Sequence, residues 1–514
     1  MLADVPTSAR NCDARAIRGQ FVADICFSIP FSIGRVIFNS LTFLVFFGIV
    51  LLLYFRLGHR GQNWMLIVAS YVFYGWWDYR FLSLLLFTTF FDYFCALWIE
   101  GQPNPAKRRL LLAASMTVNL TVLGVFKYFN FFAESLQHSL GLLGITLSFP
   151  MLHVVLPVGI SFYTFLSMSY TIDVYRRELR ATHNPTDFML YVAFFPHLVA
   201  GPIVRASVLL PQCQQPRKII PEQVANGLWL ILMGYVKKVV VADRLAQVVN
   251  WGFSRGGPPF ADANSWLVIY AFAFQIYSDF SGYTDIARGL SKLMGFELVV
   301  NFRAPYLVTN PADFWHNWHI SLSTWLRDYL YIPLGGNRKG RLRTYGNLMI
   351  TMLLGGLWHG AGAAYALWGL YHGLLLACQR AWRDFVGPRL QPAPRNPARS
   401  AWLTNALLAL MFFHLVCLGW LLFRAGSLPA GVDQTKFVLH YLATLIVVPH
   451  SIHPMARAIL ILAAVSLFFQ WKFDAMNRFS QWRVAWQVTG VVAALGAIAA
   501  LGVFDGAQFI YFQF

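Results

Sequence analysis

Long apolar runs separated by short polar connections dominate the chain. Five of them fall near residues 36–55, 63–77, 81–99, 110–126 and 150–172, each near the length that crosses a bilayer as a helix. Their connections alternate in charge. Arg56, His59 and Arg60 follow the first run, Lys107, Arg108 and Arg109 the third, and Arg176, Arg177 and Arg180 the fifth. The even connections carry chiefly Arg80 and Lys127. Basic residues collect in cytoplasmic loops, so the odd connections are expected inside and residue 36 outside.

Beyond residue 180 this alternation fails. Apolar runs near 187–204, 224–242, 265–283, 314–333, 344–358 and 361–379 are broken by Pro196, Pro202, Pro311 and Pro333, by glycine pairs, and by Asp279 and Asp285. Broken segments survive at membrane depth only where protein buries them or where they line a water path, so the functional core is expected here. Later runs near 402–423, 437–449, 457–471 and 483–504 are ordinary spans. The pattern predicts an all-α, polytopic membrane protein of roughly eleven to fourteen hydrophobic helices, some re-entrant. A single domain is expected over 36–514. Residues 1–35 differ, with Arg10, Arg15 and Arg18 ahead of a short apolar patch containing Asp24 and Pro30, and no clear cleavage site. They are expected to be a disordered extension or the product of a start assigned too far upstream.

Composition agrees with the pattern. Of 514 residues, 57% are hydrophobic and 12% charged, half the roughly 25% of a soluble domain. The net charge of +18 is spread over short loops and forms no basic domain, which argues against nucleic acid and for anionic lipid or a phosphate-bearing donor. The six cysteines (Cys12, Cys26, Cys95, Cys213, Cys378 and Cys417) form no metal-binding or disulfide pattern.

Candidate chemistry concentrates between Asp313 and Gly373. On a continuous helix, His316, His319, Ser323 and Arg327 would form one polar stripe directed into the bundle or a wet cavity. His359 lies between Gly356 and Gly360, and His372 between Gly369 and Gly373, spacings that bring helices into close contact. These histidines could serve packing or chemistry, and the glycines are compatible with both. A neutral imidazole is the usual general base near pH 7 and suits deprotonation of a hydroxyl that attacks an acyl group. Asp279 and Asp285 are second-tier candidates, with pairing to loop arginines as the structural alternative. No Gly-x-Ser-x-Gly elbow and no phosphate-binding loop are present.

Trp318-His319-Ile-Ser-Leu-Ser323 through Gly336, followed by Leu357-Trp358-His359-Gly360, resembles the membrane-bound O-acyltransferase family, in its bacterial polysaccharide branch. Tyr277–Ala287, Leu156–Tyr163 and Phe195–Pro202 fit the same likeness, which covers roughly residue 36 to the C-terminus. The resemblance implies that His359 is catalytic and that His319 is also required; Ser323, Arg327 and Trp358 join Asp279 and Asp285 as second-tier candidates. It further implies acetyl-CoA as a cytoplasmic acyl donor, no metal, and a bacterial inner-membrane location. Hand-over would be towards a periplasmic exopolysaccharide of alginate or cellulose type, with a separate periplasmic or membrane-anchored acetyltransferase as partner. The chain departs from relatives at His316-Asn317, where two arginines are usual, and in residues 1–35. Its end, Phe509–Phe514, resembles exopolysaccharide relatives outside the alginate group. The alternatives are a transporter, since buried histidines and broken helices also mark transport paths, a relative acting on teichoic acid, lipid or protein, and a non-catalytic assembly subunit.

Overall fold

The computed structural model describes residues 38, 40–152, 155–199, 201–253, 265–386, 398–428, 433–445 and 454–504. The expected extension 1–35, Cys12, Cys26 and the tail 509–514 lie outside them. Among the described residues the chain is helical and contains no strand.

The first part comprises α1 (Leu41–Tyr54), α2 (His59–Asp78), α3 (Leu82–Gly101) and α4 (Pro105–Leu123). A π turn at Gly124–Tyr128 carries α4 directly into α5 (Phe129–Leu142), and α6 (Ile160–Arg176) follows. The boundaries have local causes. Ser40 caps α1 by accepting from the Phe43 amide, and Asn104 caps α4 ahead of Pro105. Asp78 turns the chain between α2 and α3 by accepting from the Arg80 amide.

Contacts place the odd connections at one end of the molecule. Asn63, at the start of α2, donates to Asp187, and Glu100, at the end of α3, accepts from the Ala181 amide. Arg108, at the start of α4, donates to the Ile99 and Tyr175 carbonyls. The three basic connections therefore share a face, in agreement with their charge pattern.

The middle is irregular, as expected. The run 187–204 does not form one span. It divides into α7 (Pro185–Ala193) and a single turn, α8 (Phe195–Leu198), with α9 (Ala206–Gln214) after it. Next, α10 (Pro221–Tyr235) continues through a π turn at Val236–Ala242 into α11 (Asp243–Phe253). The long α12 (Ser265–Leu293) runs against α10, where Gly227, Gly234, Gly282 and Gly289 bring the two backbones together. Then come α13 (Pro311–Asn317), α14 (Ile320–Leu326), a π turn at Arg327–Tyr331, α15 (Arg341–His359) and α16 (Ala363–Ala381). The last part is α17 (Ala398–Gly426), α18 (Gln434–Thr444), α19 (Pro454–Trp471), α20 (Phe473–Met476) and α21 (Val484–Leu501).

Among the described residues, five helical stretches are long and apolar enough to cross a membrane: His59–Gly101, Pro105–Leu142, Pro221–Asn250, Trp402–Gly426 and Val484–Leu501. Many large apolar side chains on them are exposed, such as Trp64, Trp98, Leu110, Trp402 and Trp486, as lipid contact requires. The protein is an all-helical membrane protein. Its interior is built around α12, whose residues Ala271–Leu290 are buried without interruption.

Candidate active site

The helix α15 delivers His359 at its last residue. Gly360 is extended (φ −162°) and ends the helix, and Gly362 starts the next one. Glycine is required by the packing. A Cβ on Gly356 would lie 2.2 Å from the Tyr365 carbonyl oxygen, and one on Gly369 would lie 2.2 Å from that of Met352. The helices α15 and α16 thus touch backbone to backbone, as the glycine spacing suggested. His359 is 4% exposed, and its ring sits 5.0, 5.1 and 5.3 Å from those of Trp358, Trp368 and Phe423.

His319 reaches the same place by a route that the apolar pattern conceals. The expected helix across 314–333 is broken at Trp318–His319, and His319 has left-handed backbone (φ 44°, ψ 54°). Distant segments hold this kink. The Ile320 amide donates to the Asn301 carbonyl, the Ser321 amide and hydroxyl donate to Asn301 Oδ1, and the Ile203 amide donates to Ser321 Oγ. The result corrects the expected single polar stripe. His319 is fully buried, 4.7 Å ring to ring from Phe280, 5.7 Å from Trp358 and 6.2 Å from His359.

His316, Ser323 and Arg327 instead line a separate cleft of about 240 Å³ with Trp315, Thr351 and Leu376. Ser323 donates to the Trp318 carbonyl, and Arg327 is exposed and paired with Asp328. These two second-tier candidates do not join the histidine pair. Asp279 and Asp285 do not either. Asp279 lies 2.7 Å from Lys238, which also contacts Asp243 at 2.8 Å, and Asp285 lies 2.6 Å from Lys237. Their partners are lysines of the α10–α11 π turn, with Arg288 beside Asp285, and not loop arginines. His372 is packed among Phe314, Trp315, Trp368 and Tyr371, with ring distances from 5.0 Å to Trp368 to 5.7 Å to Phe314, a packing role.

Lys127 was expected in a connection after the fourth span. It lies instead inside the continuous α4–α5 helix, and its Nζ is 2.6 Å from the Trp358 carbonyl oxygen, 3.4 Å from that of His359 and 3.3 Å from Ser161 Oγ. Tyr128 donates to the Leu357 carbonyl at 2.8 Å, so this π turn satisfies the exposed carbonyls at the end of α15. A signal for Lys127 was present in the sequence: a single charge inside an apolar run is a functional candidate by default.

Two cavities meet at Trp358. One, of about 130 Å³, is lined by Trp77, Lys127, Gly159, Ser161, Trp358 and His359. The other is an apolar groove of about 680 Å³ that follows α4 and α5 from Leu112 to Phe132, roughly 30 Å at 1.5 Å per residue. Arg176 and Tyr329 lie at its far end, where Arg176 stacks over the Tyr329 ring at 5.3 Å. That is the end carrying the basic connections. Trp358 forms part of both walls and is braced by Phe162 and Phe165, at 5.2 and 5.7 Å. Among the described residues, no group of three or more metal-ligating side chains is present.

A model of the membrane-bound O-acyltransferase family matches residues 111–423. The chain is 45% identical over 396 residues to the "Probable alginate O-acetylase AlgI" of Pseudomonas putida, covering 76% of this chain and 78% of that protein. It is 35% identical over 440 residues to the "Peptidoglycan O-acetyltransferase" of Helicobacter pylori, covering 78% and 79%. With the "Teichoic acid D-alanyltransferase" of Bacillus subtilis it shares 25% identity over 411 residues, or 75% of this chain and 97% of that one.

Proposed function

The chain belongs to the membrane-bound O-acyltransferase family, and from that membership we propose that it is an O-acetyltransferase of bacterial exopolysaccharide. It sits in the inner membrane as a multi-pass protein and passes acetyl groups from cytoplasmic acetyl-CoA towards a periplasmic polymer of alginate or cellulose type. A periplasmic or membrane-anchored acetyltransferase completes delivery to the polymer. The identity to proteins named as alginate O-acetylases supports the acceptor class.

The observation that carries the reading is the approach of two buried imidazoles, His319 and His359, at 6.2 Å, with His359 on a cavity wall. His359 acts as general base on the attacking hydroxyl, and His319 orients or polarises the other reactant. The apolar groove from Arg176 to Trp358 suits the thin arm of an acyl thioester, its cationic end suiting a phosphate. The donor then approaches from the face of the basic connections, and the acceptor from the opposite side of Trp358. The test is transfer from radiolabelled acetyl-CoA in membranes, wild type against His359→Ala at matched expression. Label on polymer or partner only with wild type supports the reading. Equal labelling sinks the role of His359.

A further inference from the structure

Lys127 is half-buried and differs from the two lysines buried among these helices. Lys237 and Lys238 each face an aspartate, whereas the Lys127 ammonium contacts three neutral oxygens, those of the Ser161 hydroxyl and the Trp358 and His359 carbonyls. Among the described residues no carboxylate lies within 4.0 Å of it. A half-buried ammonium without a counter-ion is costly, and capping the Trp358 and His359 carbonyls does not require a full charge, since the neutral Tyr128 hydroxyl caps the adjacent Leu357 carbonyl. The charge faces the cavity that contains His359. Ser161 is 7% exposed, lines that cavity and accepts from Lys127, so its hydroxyl proton is available to donate. Ser161 also stands in the first turn of the 17-residue α6, where the helix dipole adds partial positive charge.

We propose that Lys127 and the Ser161 hydroxyl form the oxyanion site of acyl transfer, an inference that rests on the acyltransferase reading above. The acceptor hydroxyl oxygen attacks the thioester carbonyl carbon, and His359 takes the hydroxyl proton. A carbon–oxygen bond forms, and the carbonyl π pair moves onto oxygen, where Ser161 donates a hydrogen bond and Lys127 supplies the balancing charge. The pair returns, the carbon–sulfur bond breaks, and the leaving thiolate takes the proton from His359. The products are one ester and one thiol, and Lys127 keeps its proton throughout. Preorganised charge of this kind in a water-poor site is commonly the largest single contribution to such a step.

The test uses membranes containing the full-length chain, with radiolabelled acetyl-CoA varied and label counted in polymer and protein fractions. Rates are normalised to monodisperse folded protein. Lys127→Gln keeps an N–H donor for the carbonyls but removes the charge. It is expected to lower the maximal rate by about 10²–10³-fold, with half-saturating acetyl-CoA changed by less than about threefold. Lys127→Arg keeps the charge and recovers at least about tenfold of that loss. Equal depression of both variants, or a Lys127→Gln rate within about threefold of wild type, overturns the proposal and leaves Lys127 as an anchor for α15. If Lys127→Gln yields no folded protein, Ser161→Ala decides: a loss of about tenfold or more supports the site, and an unchanged rate overturns it. Full transfer by His359→Ala would instead remove the acyltransferase reading itself, whatever the Lys127 variants do.

Discussion

The rings of His319 and His359 lie 6.2 Å apart because His319 adopts left-handed backbone between two short helices. Each histidine also touches Trp358, at 5.7 and 5.0 Å between ring centres, so one indole fixes both imidazoles from the side.

The left-handed backbone separates stability from chemistry at His319. Only glycine adopts it without strain, which for other residues costs about 1–2 kcal/mol. His319→Gly is therefore expected to melt above His319→Ala in detergent, while both lose acetyl transfer by about 10²-fold or more. Equal melting temperatures would show that the kink is not strained. Full activity in either variant would remove His319 from the reaction.

The helix contact behind His359 gives a second prediction. Gly356→Ala and Gly369→Ala each place a methyl group 2.2 Å from a backbone oxygen, where no rotamer gives relief. Each is expected to destabilise the protein by about 3 kcal/mol or more, at the upper end for overpacking. Gly346→Ala, on the same α15 but with nothing within 4 Å of the added carbon, is expected to be neutral or to stabilise by up to about 1 kcal/mol. Thermal unfolding of the three variants checks this.

The buried ion pairs of α12 should matter for folding and not for chemistry. Lys238→Met leaves Asp243 and Asp279 without the cation that both contact, a change that typically costs about 3–5 kcal/mol. The surviving folded protein is expected to retain its transfer rate within about threefold, since neither aspartate lines the His359 cavity. A folded, fully stable but inactive Asp279→Asn variant would restore Asp279 as a catalytic candidate.

Trp358 separates the apolar groove from the histidine cavity. Removal of its indole in Trp358→Ala joins the two spaces. The expected outcome is a higher ratio of acetyl-CoA hydrolysis to transfer, because water gains access to the thioester. Trp358→Phe should lie between the two. An unchanged ratio in Trp358→Ala would show that the wall has no sealing role.

Much of this was legible in the sequence, for local reasons. Apolar runs set the first three helices within about five residues, while the fourth helix runs on to Leu142 and the fifth run begins well before its helix at Ile160. The glycines around His359 marked a close helix contact that the structure contains. The shared face of the basic connections followed from charge alone. The kink at His319 was not legible, because Asn301 and Ile203 impose it from elsewhere in the chain and nothing in Trp318–His319 requires it. The partners of Asp279 and Asp285 were missed for a similar reason, since their lysines lie on another helix. Lys127 was assigned to a connection because apolar run length cannot reveal that a helix continues through a π turn.

Three of the four π turns among the described residues, at Gly124–Tyr128, Val236–Ala242 and Arg327–Tyr331, each hold charged side chains that a regular α-helix of the same sequence would point elsewhere. A π turn accommodates an added residue, and each residue of an α-helix turns the chain by roughly 100°. Deleting one residue from Gly124–Tyr128 would let α4 and α5 join as ordinary helix with length and hydropathy almost unchanged, yet Lys127 would swing off α15 towards lipid. The distinction between a charge on the wall of the His359 cavity and a charge stranded in hydrocarbon is thus a matter of reading frame along one helix.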